Sequence, residues 1–112
     1  MIKVLDLFCG MGGFSYGFSR AGYSVTGVDI NKWTPAIFDK NRTGKAIIRD
    51  LKEHFITEVK PDIIVGGSPC KPWSTLNLKK RGSLHEDFIL MGKYFLHVFE
   101  LKPAVFIYEN VI

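Results

Sequence analysis

Short apolar runs rich in β-branched residues alternate along the chain with longer stretches whose apolar positions recur every three or four residues. Residues 2–8, IKVLDLF, read as a first strand, and a glycine turn follows at residues 9–13. Over residues 14–21, Phe14, Phe18 and Ala21 share one helical face, and Gly22 stands where a helix C-terminus favours glycine. A second strand is predicted at residues 24–28 and a helix at residues 33–40, with Pro35 tolerated in its first turn. Residues 46–48 form a short third strand, residues 53–59 a short helix closed off by Pro61, and residues 62–65 a fourth strand. Ile89, Leu90, Phe95, Leu96 and Phe99 define a helix over residues 86–100, and residues 104–108 make a fifth strand beyond the breaker Pro103. Strands separated by mostly helical connections predict one parallel sheet covered on both faces, a three-layer doubly wound α/β domain.

Composition narrows this picture without changing it. A chain of 112 residues holds one domain, and 46% hydrophobic residues supply a core that a disordered chain would lack. Cys9 and Cys70 are too few for a disulfide framework, and the N-terminus lacks the basic-then-apolar pattern of a secretory signal. No apolar run nears the roughly 20 residues that span a bilayer. The expectation is a soluble, cytoplasmic protein with reduced thiols. The net charge of +4 is compatible with a polyanionic partner, although many proteins with other partners carry as much.

Candidate chemistry collects at the predicted strand ends. Gly10, Gly12 and Gly13 follow strand one directly, where a missing side chain lets the backbone approach a ligand. A dinucleotide fingerprint wants a further glycine where Ser15 stands, which weakens a nicotinamide-dependent oxidoreductase reading. Asp29 ends strand two and can accept hydrogen bonds from both hydroxyls of a ribose, so the turn and the acid together suggest an adenosyl cofactor. The long irregular stretch of residues 66–85 opens with GGSPCKPWS and carries the basic cluster Lys79, Lys80 and Arg81. Within it, Cys70 is either a small packing residue or a nucleophile on a loop that Pro69 and Pro72 stiffen. Glu109, beside Asn110, ends strand five; if strands four and five are neighbours, Cys70 and Glu109 face one crevice.

Taken in order, DLFCGMGGFSYGF, VDIN, RDL, GGSPCKPWS and YENV resemble the motifs of the cytosine-5 DNA methyltransferases, over essentially the whole chain. The resemblance implies a Rossmann-like S-adenosylmethionine-dependent methyltransferase fold. By analogy, the Cys70 thiolate adds to carbon 6 of a flipped cytosine, Glu109 bonds ring nitrogen 3 and the exocyclic amine, and Asn110 braces the Pro69-Cys70 loop. The cofactor side implied by the resemblance comprises Gly10, Gly12, Gly13 and Phe14. With them come Phe8 and Ile30 packing on the adenine, Asp29 on the ribose, Asp50 on the adenine amino group, and Leu51, Pro69 and Leu90. Lys71 and Trp73 depart from the usual glutamine and phenylalanine of the nucleophile loop. The resemblance also implies that residues 1–112 are the N-terminal part of a catalytic domain without its target-recognition domain. A second polypeptide or a C-terminal remainder would then complete the enzyme on DNA. A non-catalytic cofactor- or partner-binding remnant and an RNA cytosine-5 methyltransferase are the alternatives.

Overall fold

The computed structural model describes residues 1–68 and 86–110. Its elements are β1 (Lys3–Leu7), α1 (Gly13–Arg20), β2 (Ser24–Asp29), α2 (Thr34–Lys40), β3 (Lys45–Ile48), β4 (Ile63–Gly66), α3 (Glu86–Leu101) and β5 (Val105–Tyr108). The five strands form one parallel sheet in the order β3-β2-β1-β4-β5. Every strand stands within a residue or two of its predicted place, and the doubly wound expectation holds.

Both faces of the sheet are covered. On one, Val4, Val25 and Val65 pack with Phe18 of α1 and with Tyr23, and α2 brings Phe38. On the other, Leu5, Leu7, Val28 and Ile64 pack with Tyr94 of α3 and with Leu51 and Ile56. Burial of each such side chain contributes about 1.5–3 kcal/mol, which makes this two-sided core the main source of stability. The Tyr94 hydroxyl, deep in the second layer, donates to the carbonyls of Ile107 at 2.5 Å and Ile64 at 3.3 Å. Burial pushes its phenol pKa up, so it remains a donor that ties α3 to β4 and β5.

Gly22 ends α1 as its sequence position predicts. With φ at +93°, it lets its own amide bond Ser19 and the Tyr23 amide bond the Phe18 carbonyl, while the Phe18 and Tyr23 rings stack 5.7 Å apart. The helix expected over residues 53–59 does not form. Residues 51–53 make a turn, the rest is irregular, and the Ile56 amide bonds the His97 ring of α3 instead of a carbonyl four residues back. Phe55 stacks on the same ring at 3.9 Å, so a tertiary contact overrides a weak local preference.

β5 has one strand neighbour among the described residues, and it leaves Val105, Phe106 and Ile107 between 42% and 50% exposed. No helix among the described residues is long and apolar enough to cross a membrane.

Gly27 in β2 is a packing glycine: a Cβ there would lie 2.5 Å from the Phe38 ring and 2.8 Å from the Cys9 sulfur. Gly27→Ala is expected to destabilise the domain by about 1–3 kcal/mol in thermal or urea unfolding. The loss should be smaller in a Phe38→Leu background; an equal loss there would show that the ring is not the obstacle.

Candidate active site

A parallel sheet delivers all of its strand carboxyl ends to one edge. Chain direction across the sheet reverses at β1, because β2 and β3 lie to one side and β4 and β5 to the other, and ligands of such sheets bind in the crevice at this point. Leu7 pairs with both Val28 and Gly66, and Gly66 pairs with Tyr108. Phe8, Asp29, Gly67 and Glu109 therefore form the next row, at the mouth of the crevice.

The glycine turn is held from several sides. Phe8 adopts the left-handed region at φ +58°, strained by about 1–2 kcal/mol for a non-glycine residue, and its ring packs on the core around Leu7. The Cys9 amide donates to the Val28 carbonyl and the Gly12 amide to the Cys9 carbonyl. Asp29 closes the turn: its carboxylate accepts the Gly10 amide at 2.8 Å and the Asn31 amide at 2.9 Å. The Thr34 hydroxyl donates to the Gly10 carbonyl at 3.0 Å. A carboxylate offers about four acceptor positions, so Asp29 retains capacity for further donors.

The three glycines serve different ends. A Cβ on Gly10 or Gly13 would meet nothing within 4 Å, so these two leave open space over the turn. Gly12, at φ +88°, faces inward, where a Cβ would come within 2.6 Å of the Phe38 ring. Phe14 is 40% exposed on α1, and with Gly13, Gly17, Phe18, Ala21 and Tyr23 it lines an open groove of about 350 Å³.

Beneath the turn lies a buried carboxylate that sequence reasoning missed. Asp6 is 1% exposed, and its Oδ2 accepts the Ser15 hydroxyl at 2.6 Å. The Ser15 backbone also bonds it, so Asp6 acts as the cap that Gly12 cannot be for α1. Desolvation raises its pKa to about 6 despite these bonds. Ser15 is the residue that broke the dinucleotide fingerprint, and this bond is its structural role. The signal available beforehand was an aspartate inside the apolar run KVLDL. Cys9 is buried beside it, and burial, with Asp6 and Asp29 adding, pushes its thiol far up, as befits a packing residue.

The Arg49 amide extends the β2–β3 ladder by donating to the Asp29 carbonyl, which sets Asp50 beside Asp29 at the same edge. Asp50 organises its own turn, its side chain accepting the Lys52 amide and its carbonyl the amides of Glu53 and His54. Leu51 points into the core at 3% exposure, so any ligand contact from this residue is left to its backbone. Ile30 is 65% exposed directly after Asp29, and Leu90 is half-buried in the first turns of α3.

On the far side of the crevice, the Glu109 amide donates to the Gly66 carbonyl at 2.9 Å. Its carboxylate lies against Gly67, where a Cβ would come within 2.5 Å of Oε2. Gly67 is a second residue that sequence reasoning passed over, and its bareness makes room for the acid. Ser68, 5% exposed, shares a 2.8 Å hydrogen bond with the Tyr108 hydroxyl, tying the segment just after β4 to the residue before Glu109. Asn110 follows at the same edge and is half-buried. Pro69, Cys70, Lys71, Trp73 and the Lys79, Lys80, Arg81 cluster lie outside the described residues.

The match to known proteins covers this whole arrangement. The family described as C-5 cytosine-specific DNA methylase matches residues 2–112. The chain belongs to this family. Type II methyltransferase M.FnuDI of Fusobacterium nucleatum is 34% identical over 98% of the chain and 32% of that protein's length. M.NlaX of Neisseria lactamica is 34% identical over 99% of the chain and 36% of its own length, so the chain spans about a third of either relative. M.HgiGI of Herpetosiphon aurantiacus is 32% identical, with 98% of the chain and 90% of that protein covered. Among solved structures, a DNMT2 variant from Spodoptera frugiperda superposes with a TM-score of 0.67 at 21% identity, covering 99% of this chain and 36% of that one. At that identity the likeness speaks for the fold, which is that of the S-adenosylmethionine-dependent methyltransferases.

Asp6 gives the site a measurable pH signature. Its folded pKa, raised to about 6 from 3.8, means that its stabilising contribution is complete below pH 3.8 and is lost as the pH rises through 6. Asp6→Asn should remove a dependence of up to about 3 kcal/mol across that window. Urea unfolding of both proteins at a series of pH values measures it, and parallel curves would be the contrary result.

Proposed function

We propose that this chain carries the cofactor-binding and base-activating part of an S-adenosylmethionine-dependent DNA cytosine-5 methyltransferase. The observation that carries the reading is the placement of Asp29 and Glu109 on either side of one crevice, within a family of cytosine-specific DNA methylases. The residues present fit the cofactor: Gly10 and Gly13 leave open space, Asp29 keeps acceptor positions for a ribose, and Ile30 is exposed beside it. When bound, the cofactor supplies an electrophilic methyl group.

The chain's own residues prepare the acceptor. Cys70, as thiolate, forms a bond to carbon 6 of cytosine, and electron density moves toward carbon 5. Glu109 holds ring nitrogen 3 and the exocyclic amine as charge enters the ring, and Asn110 braces the Pro69-Cys70 loop. Removal of the carbon 5 proton expels the thiolate at the end. None of this is possible inside a stacked duplex, so the base leaves the helix at a cost of a few kcal/mol.

A completing polypeptide, continuous or separate, belongs to the same reading. The exposed Val105, Phe106 and Ile107 of β5, with Phe95 of α3 edge-on to Phe106, form an apolar edge of the kind proteins cover. That polypeptide would also contribute the target-recognition part.

Calorimetry with S-adenosylhomocysteine and with NAD tests the cofactor assignment. The former is expected to bind, Asp29→Ala to weaken it about tenfold or more, equivalent to about 1.4 kcal/mol, and NAD not to bind. With the completing polypeptide supplied, a 5-fluorocytosine duplex should form a covalent adduct that Cys70→Ala abolishes and Glu109→Gln slows about a hundredfold. An adduct that survives Cys70→Ala would sink the mechanism.

A further inference from the structure

Residues 49–58 form a loop whose ends are joined by the Arg49–Glu58 pair, with Nη1 at 2.6 and 2.9 Å from the two carboxylate oxygens. That pair is partly exposed, 28% and 46%, and such pairs contribute little by themselves. The stronger hold is inside. His97 of α3 is 0% exposed, its Nε2 accepts the Ile56 amide at 3.1 Å, and its ring lies parallel to Phe55 at 3.9 Å. Because an amide can only donate, Nε2 carries no proton. Nδ1 then carries it and donates to the Lys93 carbonyl at 2.7 Å. Both ring nitrogens are thereby assigned, and the imidazole is neutral.

We propose that His97 is a positioning residue for the cofactor edge: in its neutral form it latches the loop that carries Asp50, and protonation releases that latch. The inference rests on the cofactor reading above only for its consequence, because the latch itself is a property of this chain. The connection is short. Ile56 is held by His97, Phe55 is stacked on it, and the amides of His54 and Glu53 return to the Asp50 carbonyl. A proton on Nε2 would place two donors face to face in a buried site and break the hold on Ile56. The loop packs Phe55 and Ile56 against the ring; its charged and titratable members are Arg49, Asp50, Lys52, Glu53, His54 and Glu58, and the turns of α3 around His97 contribute Lys93 and Glu100. Burial holds the His97 pKa below its ordinary 6.5, against the hydrogen bond to the Lys93 carbonyl, which raises it. The latch is therefore closed at neutral pH and opens only on acidification below that value.

The test is an NMR pH titration of the chain in a His54→Asn background, which removes the loop's own histidine. The His97 ring should show the Nδ1–H tautomer, and the amides of Ile56, Asp50 and Leu51 should move with one midpoint, that of the His97 ring, below about 6.5. An Nε2–H tautomer, or an Ile56 shift that leaves Asp50 and Leu51 unmoved, would overturn the proposal. Calorimetry adds the consequence: S-adenosylhomocysteine should bind about tenfold more weakly one pH unit below that midpoint than at neutral pH. His97→Gln, whose amide oxygen can accept from Ile56 without titrating, should flatten this dependence, and an unchanged dependence would count against the latch. If S-adenosylhomocysteine fails to bind at any pH, the cofactor reading fails, while the coupled amide titration still decides the latch.

Discussion

The structure depends on β1 lying in the middle of the sheet, paired in parallel with β2 on one side and β4 on the other. Strands in one direction must all end at one edge, and a central first strand makes that edge the place where the chain's path divides. Val4, Leu5 and Leu7 are fully buried because both faces of that strand are covered, so β1 has little freedom to slip. Its register sets where the glycine turn, Asp29 and Glu109 arrive.

Around this frame, polar contacts between layers supply the alignment that apolar packing does not. Asp6 caps α1 from beneath, Asp29 gathers the glycine turn, Tyr94 reaches the carbonyls of two strands, and Ser68 meets Tyr108. Each is directional, and each joins one structural element to another across 9 to 40 positions of sequence. The glycines complement them: Gly27 and Gly12 admit the Phe38 ring, and Gly67 admits the carboxylate of Glu109. Here an absent side chain acts as a packing decision, with the φ of +88° at Gly12 as an added requirement.

Much of this was legible beforehand, for identifiable reasons. The alternation of β-rich and helix-period runs reports which face of each element is dry, and that periodicity survives in any parallel sheet of this kind. Gly22 and Pro35 were readable because their effects are local. Asp29 and Glu109 were readable because a strand end in such a sheet has one destination. Residues 53–59 misled because their helical preference is weak and His97, 41 positions from Ile56, supplies a competing hydrogen bond. Asp6 gave only a faint signal, since nothing near it in sequence says that Ser15 will satisfy it.

By itself, the sequence determined the fold class, the order of its elements and the set of strand-end residues from which a site could be built. These follow from periodicity and from residues whose conformational limits act over a few positions. The tertiary structure decided which of those residues meet, that Gly12 faces inward while Gly10 and Gly13 stay open, and that the Asp50 loop hangs on a neutral histidine. Such matters turn on distances between groups far apart along the chain. Only the packed sheet sets those distances.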